Sequence, residues 1–172
     1  MDTIAFTKVA APNGWLGNMS PHRVRYGNKD WRTTEALFQA LRFADEGVQE
    51  AIRDQKSPMT AKMIAKKNKA KLAIQPGSAQ DVENMRLVLR LKIEQHPDLR
   101  AALLATGNAR IIEDCSKRRP SVWGAQLQNG TWVGENILGQ LWMELRDQLR
   151  EHSSDSPRDS ERVASRTTGG TP

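Results

Sequence analysis

Residues 81–95 read DVENMRLVLRLKIEQ. Val82, Met85, Leu89 and Ile93 recur at the helical repeat, while Leu87, Val88 and Leu91 widen the apolar side. The spacing predicts a central, largely buried helix. Such a helix needs partners, and the flanking sequence offers them. Pro97 opens a shorter helix through Leu99, Leu103 and Leu104, closed by Gly107-Asn108. Asn136 to Arg150 reads as the last helix, with Ile137, Leu141, Leu145 and Leu149 on one stripe and Leu138 and Trp142 beside it. Upstream, Ser57-Pro58 fits an N-cap followed by proline at the first helical position. Thr33 or Thr34 caps a further helix from about Thr34. Strands are fewer. Residues 22–26 alternate before Gly27-Asn28 turns the chain toward Trp31, which predicts a short hairpin, and Ile111-Ile112 suits a brief strand. The expected fold class is mainly α, an α+β arrangement with a small β-hairpin, in one compact domain over residues 1–150.

With 172 residues, 38% hydrophobic and 27% charged, the chain can bury a real core and has the balance of a globular protein. No run approaches the roughly 18 to 20 apolar residues that span a bilayer, so no membrane partner is expected. The start, MDTIAFTKVAAPNGW, lacks a basic segment followed by an apolar one, and a secretory signal is not expected. A single cysteine, Cys115, can form no internal disulfide, and a reducing cytoplasm is the simplest location. Beyond His152 large apolar side chains nearly vanish, so residues 151–172 read as a disordered polar tail.

The net charge of +6 lies in the body, because residues 151–172 hold three Arg against four Asp or Glu. Six lysines and no acid occur between Lys56 and Lys71, and Lys117, Arg118 and Arg119 form a second knot. Lysines 62, 66 and 69 recur at helical spacing. Such patches suit a phosphate-bearing partner, or they are simply a solvated helix face.

Two stretches are candidates for chemistry. In WRTTEALFQALRF (31–43), Glu35 stands in the first turn of a helix, with Gln39 four residues on and Trp31 and Arg42 as flanks. Glu35 is either a carboxylate stabilised by the helix dipole or a general acid or base between an apolar face and a loop. In VWGAQLQNGTWVGENILG (122–139), Trp123-Gly124 and Trp132 lie among glycines just before the last helix. Here an indole can stack on a base, and Asn136 occupies an N-cap whose backbone N–H groups can receive a phosphate. The alternative is a glycine-rich turn, packed tryptophans and a capping asparagine. Metal and nucleophile readings fail on inventory. His22, His96 and His152 are scattered, HExxH and GxSxG are absent, and neither Ser20 nor Cys115 has a nucleophile context. Neither a metal nor a cofactor is expected.

Taken in order, LGNMSPH (16–22), WRTTEALFQALRF (31–43), SPMTAK (57–62), MRLVLRLKIEQHPDLRAALLATG (85–107), IIE (111–113), WG (123–124) and GENILGQLWMELRDQL (134–149) resemble the YbiA-like, or NADAR, superfamily. The resemblance runs from about Leu16 to Arg150. It implies a compact, mostly α fold that hydrolyses N-glycosidic bonds. One branch acts on ribosylamino pyrimidine intermediates of riboflavin synthesis, and another removes ADP-ribose from modified guanine. The acidic residue of the family's Ser/Thr-Glu-x-x-Phe-Gln block falls on Glu35, which would stabilise the ribosyl cation and activate water. Gln39 would hold a ribose hydroxyl or water, Arg42 and some lysines would meet phosphates, and Trp123 or Trp31 would stack on the base. Asn18, Gly124 and Asn136 would shape the rim. The implied partner is a phosphorylated ribosyl or ADP-ribosyl substrate, including ADP-ribosylated nucleic acid. Three departures stand out. Arg42 replaces a common lysine, so no amine nucleophile is offered there; Gly77 stands near a usual tryptophan; Pro120 stands where an acid is common. Rival readings are a non-catalytic nucleotide-binding module and a basic nucleic-acid-binding protein.

Overall fold

The computed structural model describes residues 2–154. Its first helix, α1 (Thr34–Ala40), begins where the side chain of Thr33 accepts from the Ala36 N–H, and all seven of its residues are buried. A short helix has no dry face of its own, so its surroundings must supply one. The Asn18 carbonyl accepts from the Glu35 N–H on one side. Then the Arg42 carbonyl receives the N–H groups of Ala73 and Ile74, and the helix ends.

Helix α2 (Glu46–Arg53) has no counterpart in the expected elements. Its start signal, Asp45 accepting from the Val48 N–H, lies only a few residues beyond α1, and so short a break blends into the preceding apolar run. Helix α3 (Pro58–Lys67) has the Ser57 cap and first-position proline that the sequence indicates. It carries Lys62 and Lys66, whereas Lys69 falls in a following 3-10 turn, so the three lysines do not share one helix. All six lysines of this region are solvent-exposed.

Helix α4 (Ala79–Gln95) is the central element, with Met85, Val88, Leu89 and Ile93 buried, and it packs against α1, α5 (Pro97–Ala105) and α6 (Ile137–Ser154). Residues 151–154 thus continue the last helix rather than begin the tail expected there. The rest of that segment lies outside the described residues.

Among the described residues, three two-stranded sheets complete the fold. The expected hairpin is β2 (Val24–Tyr26) and β3 (Lys29–Trp31), with Val24 opposite Trp31. Strand β4 (Arg110–Glu113) covers the expected Ile111-Ile112, but it pairs in parallel with β1 (Thr3–Phe6), so Phe6 stands opposite Glu113. A further hairpin joins β5 (Gln126–Gln128) to β6 (Thr131–Val133). Strand β4 lies on α6. The Asn136 side chain accepts from the Glu113 N–H at 3.0 Å and donates to the Ile111 carbonyl at 2.8 Å. Glu113 is therefore held at a strand end facing α1 across a gap. No helix among the described residues is long and apolar enough to cross a membrane.

Candidate active site

That gap is a cleft of about 600 Å³, lined by α1, the first turns of α3, the end of β4 and the loops at 6–9, 17–19 and 115–123. Its volume suits a nucleotide-sized ligand. The α1 wall carries Glu35, Gln39 and Arg42, each buried. The spacing of four and three places them on one helical face, and a chain of hydrogen bonds joins them. Gln39 Nε2 donates to Glu35 Oε1 at 2.9 Å, and Arg42 Nη1 donates to Gln39 Oε1 at 3.0 Å. Arg42 then reaches across to α4. Its Nε and Nη2 grip the two carboxylate oxygens of Asp81 at 2.7 and 2.8 Å, and its guanidinium lies 4.4 Å above the Phe38 ring. Asp81 is fully buried and also accepts from the Gly77 N–H. The guanidinium expected to meet phosphate therefore already has its charge paired with a buried carboxylate, whose two oxygens match its fork.

Asn18 closes the N-terminal end of this wall. Its carbonyl receives the Glu35 N–H, its Oδ1 accepts from Thr34 Oγ1 at 3.1 Å, and its Nδ2 donates to the Met85 sulfur. Lys62 reaches in from α3 to 3.9 Å from Glu35 Oε1. No group among the described residues donates to Glu35 Oε2, which leaves that oxygen for a ligand or water.

On the opposite wall stands Glu113, which the sequence reading did not single out beyond its place in the IIE block. Burial pushes its carboxyl above the ordinary range, the Arg118 guanidinium opposes this by charge and by a 3.3 Å hydrogen bond, and the negative charge of Glu35 adds to the rise. Two carboxylates thus face one cleft, and desolvation favours the protonated form of Glu113. Arg119 and Lys8 line the same cleft and make no ion pair among the described residues. Cys115, also at the lining, is a buried thiol whose ionisation burial disfavours. Trp123 is half-buried and meets Phe38 edge-to-face at 5.5 Å, forming the cleft's aromatic side.

Of the expected site residues, the structure brings Asn18, Glu35, Gln39, Arg42 and Trp123 into the cleft and leaves three outside its lining. Trp31 is a core residue on β3, 4% exposed, with no face open for stacking. Gly124 packs against β4. A Cβ there would stand 2.5 Å from both Cys115 Sγ and the Glu113 carbonyl oxygen, so its role is close approach rather than rim-shaping. Asn136 holds β4 to α6 from a left-handed backbone conformation. The N–H groups of residues 136–138 are taken by the carbonyls of Gly124, Val122 and Trp123, so these three have nothing left to offer a phosphate.

His22 and His96, distant in sequence, meet edge-to-face at 5.3 Å, but no group of three or more metal-ligating side chains occurs among the described residues. Missed with Glu113 was Asp81, and Lys62 was named only as one lysine of its run. Nothing local marks Asp81 beyond its position in the first turn of α4, and Lys62 looks like any other lysine of its run.

A family model for the NADAR domain matches residues 5–150. The chain belongs to the NADAR family. It is 38% identical to the N-glycosidase YbiA of Escherichia coli K12 over 149 residues, covering 86% of this chain and 89% of that protein. An N-glycosidase of Nostoc punctiforme is 28% identical over 86% of this chain and 93% of its own length. A riboflavin biosynthesis protein of Vibrio vulnificus is 30% identical over 82% of this chain but only 37% of its own. The solution structure of E. coli YbiA superposes with a TM-score of 0.79 at 33% identity, covering 92% of this chain and 91% of that one. The mainly helical, compact fold is that of this family.

Proposed function

We propose that the cleft hydrolyses the bond between a ribose C1′ and a nitrogen in a phosphorylated substrate, and that the substrate is an ADP-ribosylated nucleobase, guanine foremost, or a related NAD-derived compound. Hydrolysis of an N-glycosyl bond is the activity for which the relatives are named, and this chain shares it. The observation that carries the reading is the division of labour between two carboxylates in one cleft. Glu35 has one oxygen held by Gln39 and the other open, while Glu113 is held toward its protonated form by burial.

In the proposed reaction the C1′–N bond lengthens and positive charge develops on the ribose. Glu35 stabilises that charge and accepts a proton from the attacking water, whose oxygen bonds to C1′. Glu113 gives its proton to the departing nitrogen, which keeps the bonding electron pair. Exchange with solvent returns each carboxyl to its starting state. Trp123, edge-on to Phe38, offers a face for the base, and Lys62, Lys8 and Arg119 supply positive charge for the phosphates.

A second reading, an N-glycosidase of early riboflavin-synthesis intermediates, draws on the name of the Vibrio relative. Both are tested by measuring free ADP-ribose released from a guanine-ADP-ribosylated oligonucleotide by wild type and Glu35→Gln, with the riboflavin intermediate in parallel. Release by wild type that the variant lacks supports the first reading. Cleavage of the riboflavin intermediate alone selects the second. Turnover of neither by folded protein turns the assignment to a nucleotide-binding module.

A further inference from the structure

Behind the cleft, a buried aspartate on a different helix from the proposed catalytic carboxylate is joined to it by a chain of hydrogen bonds that can run in only one sense. Asp81 accepts from Arg42 at two oxygens. A guanidinium only donates, so the Gln39 oxygen must turn toward Arg42 and the Gln39 NH₂ toward Glu35. Once Glu35 has taken a proton from water its carboxyl could donate to an amide oxygen as well as accept from an amide NH₂, so an amide free to rotate could then present either end. This one cannot, as long as Arg42 stays in place. Arg42 stays because Asp81 holds it bidentately and because Phe38 lies beneath it. Asp81 is fixed in turn by the Gly77 N–H at 2.7 Å and by its place at the start of α4, where its own N–H meets Ser78 Oγ.

We propose that Asp81 is a positioning residue for the hydrolysis: acting through Arg42 and Gln39, it fixes which end of the Gln39 amide meets Glu35 and leaves Glu35 Oε2 as the oxygen facing the substrate. The proposal rests on Glu35 as the reacting carboxylate. It also changes the role of Arg42 from phosphate ligand to link, which fits a side chain whose Nε and both terminal nitrogens are already engaged by Asp81 and Gln39. A buried ion pair that merely clamped α1 to α4 would need no bond from Arg42 to Gln39.

The test compares wild type, Asp81→Asn, and the double variant Asp81→Leu/Arg42→Met, in the full-length protein. The double variant removes both charges while keeping apolar bulk, a change that buried pairs often tolerate, so it supplies a folded case where Asp81→Asn strands an arginine. With the guanine-ADP-ribosylated oligonucleotide as probe, kcat is expected to fall about 10²-fold while KM stays within about twofold, since orientation rather than binding is lost. An independent readout needs no turnover: the side-chain NH₂ resonances of Gln39, identified by their loss in Gln39→Met, should lose protection from exchange in both variants. A folded double variant with wild-type kcat and unchanged Gln39 resonances overturns the proposal. If wild type does not cleave this probe, the ADP-ribosyl reading of the substrate fails, and the Gln39 resonances alone then decide whether Asp81 orients this amide.

Discussion

The two walls of the cleft are built on different principles. The α1 wall is buried throughout, its polar side chains bond to one another and to neighbouring elements, and no group among the described residues donates to Glu35 Oε2. The β4 wall places Glu113 at a strand end beside a loop where Arg118 is half exposed and Arg119 has no ion-pair partner among the described residues. The first wall forfeits adaptability for a fixed carboxylate, and the second keeps charged side chains loose enough to follow a ligand. Orientation at a reacting atom loses rate steeply with displacement, whereas a flexible cation can meet a phosphate from many rotamers. The division therefore predicts that substitutions on α1 act on kcat and those in the 115–121 loop act on KM.

The largest expected effect tests the fixed wall. Glu35→Gln keeps the shape of the side chain and removes its charge, and turnover should drop by about 10²- to 10⁴-fold with substrate affinity nearly unchanged. Loss of affinity without loss of kcat would exchange the roles of the two walls. Glu113→Gln comes next, at about 10²-fold. Burial raises the Glu113 pKa, so its proton persists above the usual carboxylate range and is lost as the pH climbs through the raised value. Wild-type kcat should therefore fall on the alkaline side of that point, and the variant, slower throughout, should lack that limb. An unchanged limb would assign the proton to another group.

A smaller effect asks how the β4 wall is held. In Gly124→Ala the new methyl would collide with Cys115 Sγ and the Glu113 carbonyl, each 2.5 Å from the built Cβ. The carbonyl cannot retreat far, because it accepts from the Ala125 N–H, and the Cys115 side chain is buried. Overpacking of this kind costs about 1–3 kcal/mol, read as a lower denaturant midpoint, and it should reduce kcat as well by moving Glu113. Full stability would mean that the loop yields more easily than this packing suggests.

What the sequence discloses follows the same division. The period of α4 and the caps of α1 and α3 are local signals, and the helices stand where those signals put them. Strand β1 could not be read: TIAF becomes a strand by pairing in parallel with RIIE from the far end of the domain. Of the candidate site, the α1 residues were legible because one helix and one family block carry them. Arg42 was legible as a site residue but not in its role, since its partner Asp81 lies on another helix. Trp31 and Asn136 mislead for a related reason. An aromatic and a capping amide look alike in sequence whether they face a ligand or, as here, fill the core and tie β4 to α6.

The smallest expected effect concerns what stands behind the α1 wall. Lys92 on α4 is fully buried and donates to the Trp15 carbonyl, the Gly17 carbonyl and Ser20 Oγ at 2.5, 3.0 and 2.7 Å. It thereby ties down the segment that presents Asn18 to Glu35. Burial pulls its pKa from 10.5 down to about 7, while three acceptors matched to the three N–H bonds of an ammonium resist that fall. His22 lies across Ser20 with its own pKa lowered, first by burial and then by the charge of Lys92, and His96 stands edge-on beyond it. A base whose folded-state pKa is depressed binds fewer protons folded than unfolded between the two values. Its stabilising contribution is then complete above 10.5 and is lost as the pH falls through the folded value. The unfolding free energy should rise by about 1 kcal/mol from roughly pH 7 to 9, less than burial alone would give because of the three acceptors. Lys92→Met should remove the rise and lower stability overall, since two carbonyls lose their donor. A flat wild-type profile would mean that the ammonium stays charged throughout, and the fixed wall of the cleft would then rest on a buried cation held by neutral acceptors alone.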